Sequence, residues 1–354
     1  TLQKHAGNPV IPDLPAGYNI DEYRDHCVWR EGDTWQQLIG ARIKDIGGSV
    51  LLYRSQDLID WQFIQPILVG GQYAVDPLPK NAMWECPDLF ALGDQHMLVL
   101  SILADGPQHS GYFLGRYADG KFTPHRYRRM DYGDWEYYAP QSFINEAGER
   151  IHFGWMQEAR SIAWQLEAGW SGLLSLPRTI DLDPAGRVSI QPHRVVAQLR
   201  GESYFWDRRE LLDGQMYTAG IQGRALELQA VFSMDAPARE VGLRLFCSPA
   251  GDEYTEIVYD REKGALSLRR SHASLDSRAN RDDRGGELEL EPGEDLELRI
   301  FIDHSVIEVF ANGRAALTGR VYPVRKDSTG IQVFSKGGNG SLAGLNAWRM
   351  LPVW

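Results

Sequence analysis

Two short acidic motifs stand apart in this sequence, Tyr23-Arg24-Asp25-His26 and Trp84-Glu85-Cys86-Pro87-Asp88. Each sets a carboxylate among unusual neighbours at what reads as the edge of a strand. Breaking a glycosidic bond needs one carboxyl group to protonate the leaving oxygen. A second must attack or assist water, with an oxocarbenium-like transition state between them. A carboxyl flanked by Trp84 and Cys86 would be partly desolvated, which favours the neutral form a proton donor requires. Taken alone, either motif reads more readily as solvated surface acid, so the elements around them have to carry the argument.

Those elements read as strands. Segments of strand length recur between turn signals: TWQQLIGARI, GSVLLYRS, DLFALG, QHMLVLSIL, SGYFLGRYADGKF and APQSFINEAGERIHFGWM. Hairpin turns fall at Ala118-Asp119-Gly120 and Glu146-Ala147-Gly148, where glycine supplies the positive φ such turns require. Successive antiparallel strands joined in this way fit four-stranded propeller blades. Prolines and a glycine interrupt the pattern over residues 177–201, where one more hairpin forms about Pro184-Ala185-Gly186. Beyond it, eight short runs from AGIQGRALELQAVFSM to TGIQVFSKG read as an antiparallel sandwich. The expected division is a propeller over 1–180, a linker over 181–201 and a β-sandwich over 202–354. Asp276 to Gly286, DSRANRDDRGG, reads as a solvated loop. The fold class is all-β.

Composition excludes several roles. The 354 residues are 43% hydrophobic, enough for two cores, and carry a net charge of -11 without a Lys/Arg cluster that could track a phosphate backbone. Nucleic acid is therefore not an expected partner. No apolar run approaches the roughly 20 residues of a membrane span, so no membrane partner is expected either. Cys27, Cys86 and Cys247 form neither a disulfide framework nor a metal-ligand spacing, which suits a reducing, cytoplasmic compartment; secretion is the alternative. The Asn339-Gly340-Ser341 sequon is too common a match to argue for it. Neither a metal nor another cofactor is implied. The 11 Trp, 15 Tyr and 12 Phe suit sugar faces as well as large β cores.

The order and spacing of YRD, LLYRSQDLIDW, MWECPDLF, EYYAPQSF, GERIHFGWM, GLLSLPRTIDL and IDHSVIEVFANGR resemble glycoside hydrolase family 32, the invertases, inulinases, levanases and related fructosyltransferases. The resemblance runs from about Asn8 to the C-terminus. It implies a five-bladed β-propeller with a funnel-shaped active site, then a C-terminal β-sandwich, and retention of configuration. It makes Glu85 the general acid/base and Asp25 the transition-state stabiliser. Arg24 would bind fructose hydroxyls and hold Asp25 ionised, because a guanidinium lowers a carboxylate's pKa. Trp155 would line the fructose pocket and Tyr138 would face the site; plain core packing is the competing reading for both. His26 and Cys86 complete the substrate-facing set. Asp303, His304 and Glu308 of the sandwich read as structural.

The sequence also departs from the family. Nothing in it matches WMNDPNG, the opening motif that carries the family's nucleophilic Asp. The propeller is therefore expected to be incomplete, with a companion N-terminal polypeptide closing it, because open blade edges invite pairing with another chain. Homo-oligomer contacts through the sandwich are a further expectation. His26 stands where the family usually has Pro, and Glu136 where an Asp usually precedes the Tyr-Ala pair. The expected activity is release of fructose from sucrose or fructans, with fructosyl transfer to another sugar as the alternative. A non-catalytic fructan-binding protein is the rival from another class, and the presence of Arg24, Asp25 and Glu85 together argues against it.

Overall fold

The computed structural model describes residues 3–105 and 108–353. They fall into two compact units, one of Thr1–Met130 with Tyr138–Ser142, the other of Asp131–Tyr137 with Phe143–Trp354.

The first unit holds two four-stranded antiparallel sheets. One is β1 (Ile20–Glu31), β2 (Thr34–Ile43), β3 (Gly47–Ser55) and β4 (Gln62–Val69); the other is β5 (Met83–Leu92), β6 (Gln95–Leu103), β7 (His109–Ala118) and β8 (Lys121–Arg129). Each sheet is a simple meander, every strand pairing with the next, as in a propeller blade. The β7–β8 turn is the tight one expected, with Asp119 and Gly120 both at positive φ. Leu38, Val50, Leu52 and Leu68 of the first sheet share one apolar cluster with Trp84, Leu98, Leu100, Phe113 and Phe122 of the second. Alternate residues of each strand supply it, while Ile39, Ala41, Leu51 and Tyr53 of the first sheet form a second buried cluster on the opposite face. β9 (Tyr138–Ile144) begins in this unit.

In the second unit, β10 (Arg150–Met156) pairs with a two-residue β11 (Leu173–Leu174) and with β12 (Arg178–Leu182), and β12 pairs with β13 (Val188–Pro192). A short helix, α1 (Ile162–Ala168), lies between β10 and β11, capped by Ser161 and ended by Gly169 in the left-handed region. The segment 181–201 is built of a hairpin and a short helix. The hairpin about Pro184-Ala185-Gly186 closes β12 onto β13, from Leu182 opposite Val188 to Arg178 opposite Pro192, and a 3-10 helix, Arg194–Leu199, leads straight into the next strand. Its prolines sit at the end of β13 and in the turn, where no ladder donor is missed.

The sandwich consists of a seven-stranded and a six-stranded sheet. The first runs Arg200–Trp206, Gly340–Met350, Ala225–Phe232, Leu296–Asp303, Val306–Ala311 and Ala315–Arg320, with Arg209–Leu211 also on the Gly340–Met350 strand. The second runs Met216–Gln222, Gly330–Lys336, Glu240–Cys247, Thr255–Asp260, Ala265–Arg269 and Arg284–Glu287. Leu226, Leu228, Ala230 and Phe232 of one sheet and Val241, Leu243 and Leu245 of the other meet in one core at the period of two that a strand dictates.

Within this unit, buried ion pairs join the strands before residue 180 to the sandwich. Arg178 donates to Asp131 at 2.8 Å and to Glu308 at 2.7 Å, its guanidinium 3.9 Å above the Tyr137 ring. Arg270 pairs with Glu136 at 2.8 Å, and both are fully buried. Glu308 is thus structural, as its place in the sandwich suggested, while His304 and Asp303 bond to each other at the surface. The charged run Asp276 to Gly286 is not wholly a solvated loop. Asp282 and Asp283 accept hydrogen bonds from Arg270, and Arg284 is buried over the Trp135 ring. Burying Arg270 left its backbone N–H and its Nε–H to satisfy, and this segment satisfies those two.

Candidate active site

Both acidic motifs lie inside strands and not at their edges. Each sits at a bulge. In β1 the pairing skips Asp25, passing from Arg24 opposite Gly40 to His26 opposite Ile39. In β5 it shifts between Glu85 and Asp88. Asp25 and Cys86 both adopt positive φ, 55° and 50°. A non-glycine residue in that region costs of order 1–3 kcal/mol and persists only where surroundings impose it, which is typical of functional sites. A bulge re-aims its side chain out of the regular alternation.

The two bulges meet. Arg24 Nε donates to Glu85 Oε1 at 2.7 Å, and the Cys86 thiol donates to Asp25 Oδ2 at 3.4 Å. Tyr138, at the start of β9, donates its hydroxyl to Glu85 Oε2 at 2.6 Å. Gln141, three residues on, holds the Cys86 carbonyl at 3.0 Å, and Ser142 bonds Asp88 at 2.6 Å. Five of the seven predicted site residues therefore meet in two adjoining hydrogen-bonded sets, Arg24 and Tyr138 on Glu85, and Cys86 on Asp25. Close backbone approach makes this reachable: Gly40 of β2 lies against the Trp84 carbonyl and the Glu85 Cα, leaving no room for a side chain.

Two expectations change. The Trp84 indole does not flank Glu85. It is 1% exposed and packs into the core against Phe113 and Gly48, because neighbours along a strand point to opposite faces. Arg24 and Tyr138 are what cover the Glu85 carboxyl, leaving its side chain 12% exposed. Nor does Arg24 pair with Asp25. Its guanidinium turns to Glu85 and Glu22, while the bulge points Asp25 at Cys86. His26 is exposed, and among the described hydrogen bonds none joins it to Asp25. Trp155 belongs to the second unit, where its indole is 46% exposed and stands over Gly172, so it is not plain core.

Burial disfavours charge on Arg24, yet the Glu85 and Glu22 carboxylates outweigh it and hold the guanidinium charged. Burial, then the Asp25 charge, raise the Cys86 thiol, keeping its proton available to Asp25. Burial and the bond to Glu85 likewise raise the Tyr138 phenol. Glu22 and Gln141 were not foreseen. The acid run DEYRD and the glutamine of EYYAPQ were the only signals, and neither differs from ordinary surface composition. Among the described residues no group of three or more His, Cys, Asp or Glu could hold a metal, and no helix is long and apolar enough to cross a membrane.

Residues 1–192 match the glycosyl hydrolases family 32 N-terminal domain, and residues 196–349 match the family's C-terminal domain. The chain belongs to glycosyl hydrolase family 32. It is 32% identical to a sucrose-6-phosphate hydrolase of Escherichia coli over 89% of its own length and 64% of that protein's. It is also 32% identical to a raffinose invertase of Escherichia coli, covering 94% and 67%. The chain thus spans about two thirds of the length of the curated relatives it matches. The crystal structure of fructan 1-exohydrolase IIa from Cichorium intybus superposes with a TM-score of 0.85 at 23% identity, over 99% of this chain and 75% of that one. The propeller-and-sandwich class of this family member is the fold its sheets describe.

Proposed function

We propose that this chain carries the acid/base portion of a retaining glycosidase that releases fructose from sucrose or fructans. The observation that carries the reading is reciprocal. Arg24, next to Asp25, reaches Glu85, while Cys86, next to Glu85, reaches Asp25. Carboxyl groups from two sheets thus adjoin one region, as an acid/base and a stabiliser of the developing charge must.

In this reading Glu85, protonated, gives its proton to the glycosidic oxygen as the bond to the fructosyl carbon breaks. Asp25 steadies the positive charge that develops on the sugar, and Arg24 holds fructose hydroxyls. A nucleophilic carboxylate bonds to the same carbon. Glu85, now a carboxylate, takes a proton from water as the water oxygen displaces that nucleophile. The family's motif for the nucleophile has no counterpart in these 354 residues. The reading therefore assigns it to residues outside this sequence, on the same polypeptide or on a companion. The likeness to an invertase and a sucrose-6-phosphate hydrolase supports a fructoside substrate.

The test is hydrolysis of sucrose, inulin and levan by the chain, alone and combined with a family 32 N-terminal segment bearing WMNDPNG, beside Glu85→Gln. Loss of a general acid/base costs about 10²–10⁴ in rate. Activity unchanged in Glu85→Gln would refute the assignment.

A further inference from the structure

We propose that the C-terminal sandwich carries a binding site of its own for a small neutral sugar, at the end of its core where the side chain of Tyr259 meets a surface cavity. The site lies wholly within the second unit and does not rest on the role of Glu85.

Tyr259 stands in the strand Thr255–Asp260, paired with Val241 on one side and Leu266 on the other, and it belongs to the core between the two sheets. The residue is 3% exposed, yet its hydroxyl makes no hydrogen bond to another described residue. A buried tyrosine hydroxyl ordinarily has a partner, because leaving one unmet is costly. Tyr259 lines a cavity of about 430 Å³, within the range of about 300–1,000 Å³ that small-molecule sites occupy. Met234 and Leu290, packed against the same core, give that cavity apolar walls. A further wall is the turn Glu291 to Glu294, with Gly293 at φ 79°. The Glu294 amide donates to the Glu291 carbonyl at 2.9 Å, and the Glu294 carboxylate accepts from the Glu291 amide at 2.8 Å. Such a wall is formed in advance, which lowers the ordering cost of binding.

The polar groups left over are of both kinds. Arg261 spends one nitrogen on the Ala236 carbonyl at 2.9 Å and pairs with no carboxylate among the described residues, and Asp235 pairs with no cation among them. Burial raises the pKa of the Tyr259 phenol, so it keeps its proton. Donors at Tyr259 and Arg261, an acceptor at Asp235 and apolar walls match a sugar, whose hydroxyls donate and accept and whose C–H faces are apolar. The other two acids of the lining do not make a cation trap: Glu294 is held by Arg314 at 2.8 Å, and Glu291 lies 3.1 Å from Arg187.

The experiment follows the Met234 methyl group by carbon-13 NMR of the intact, methionine-labelled chain, its signal assigned with Met234→Leu, during titration with fructose, glucose and lysine. At least one of the two sugars is expected to move that signal along a saturating curve with a dissociation constant near the millimolar range. The signal of Met83, buried in the first unit, should stay still. Tyr259→Phe, and Arg261→Gln at an exposed position, should each weaken binding at least about threefold, with the remaining methionine signals showing that both variants are folded. Absence of saturation up to about 0.1 M of either sugar, a response to lysine alone, or equal binding in the parent and both variants overturns the proposal. Because only the Met234 signal is read, sugar bound at the propeller neither supports nor defeats it.

Discussion

A side-chain carbon at Gly40 would stand 2.2 Å from the Trp84 carbonyl oxygen and 3.3 Å from the Glu85 Cα. The sheet that carries Asp25 and the sheet that carries Glu85 are thus in backbone contact at a residue whose ladder partner is Arg24. The obstacle is main chain, which cannot rotate away as a side chain could. Gly40→Ala is expected to destabilise the protein by about 1–3 kcal/mol, as overpacking does. It should also separate Arg24 from Glu85. Denaturant unfolding beside sugar titration measures both, and an unchanged affinity in a folded Gly40→Ala would contradict the dependence of the site on this approach.

Tyr138→Phe removes one of two donors to Glu85 while leaving the ring in place. A hydrogen bond to a charged group contributes about 1.5–3 kcal/mol to stability, so Tyr138→Phe should unfold at lower denaturant, and kcat/KM on a fructoside, measured with a family 32 N-terminal segment supplied, should fall with it. Arg24→Lys should do worse, because a lysine cannot serve Glu85 and Glu22 at once with a planar fork. Where the parent, supplied with that segment, is active, equal activity in both variants would remove the carboxylate network from the mechanism.

How far the sequence foretold this site differs residue by residue. Strand character, the Asp119-Gly120 hairpin and the period of two in Leu226, Leu228 and Ala230 are local properties, and local patterns state them. That Glu85 and Asp25 belong together followed from motifs read as an ordered set. The direction of Trp84 was legible too, since a residue beside Glu85 in a strand must face away from it, but only once Glu85 was known to lie inside a strand. Arg24 bonding Glu85 in preference to its neighbour Asp25 was not legible. It depends on a bulge and a left-handed residue that Tyr-Arg-Asp does not encode by type. Nor was Arg270 on Glu136, a pair 134 residues apart in sequence whose burial no single segment announces.

Arg178 offers a test of that buried network. It is fully buried, and although burial opposes its charge, Tyr137, Glu308 and Asp131 hold it protonated. Removing one partner of such a group leaves the others uncompensated, at a cost of about 3–5 kcal/mol. Arg178→Met should therefore unfold at much lower denaturant. The exposed pair of Asp303 and His304 provides the contrast: Asp303→Asn should shift stability by no more than about 1 kcal/mol. Similar losses in the two variants would show that burial is not what sets the cost.

His152 gives the pH prediction. It is 1% exposed, its Nδ1 is 2.8 Å from the Tyr137 hydroxyl, and burial, then the charges of Arg178 and Arg150, push its pKa down to about 3. In the unfolded chain an imidazole titrates near 6.5, so below that pH the unfolded state binds a proton the folded state refuses. Stability from this residue is therefore complete above about pH 6.5 and is lost as pH falls from there toward 3. At about 1.4 kcal/mol per pH unit, the descent from pH 6.5 to 5 removes roughly 2 kcal/mol. Denaturant unfolding at pH 7.5, 6.5 and 5 should record that loss in the parent, and His152→Gln, though less stable at pH 7.5, should show a shallower fall across the same interval. A parallel decline in parent and variant would mean that the acid sensitivity originates elsewhere.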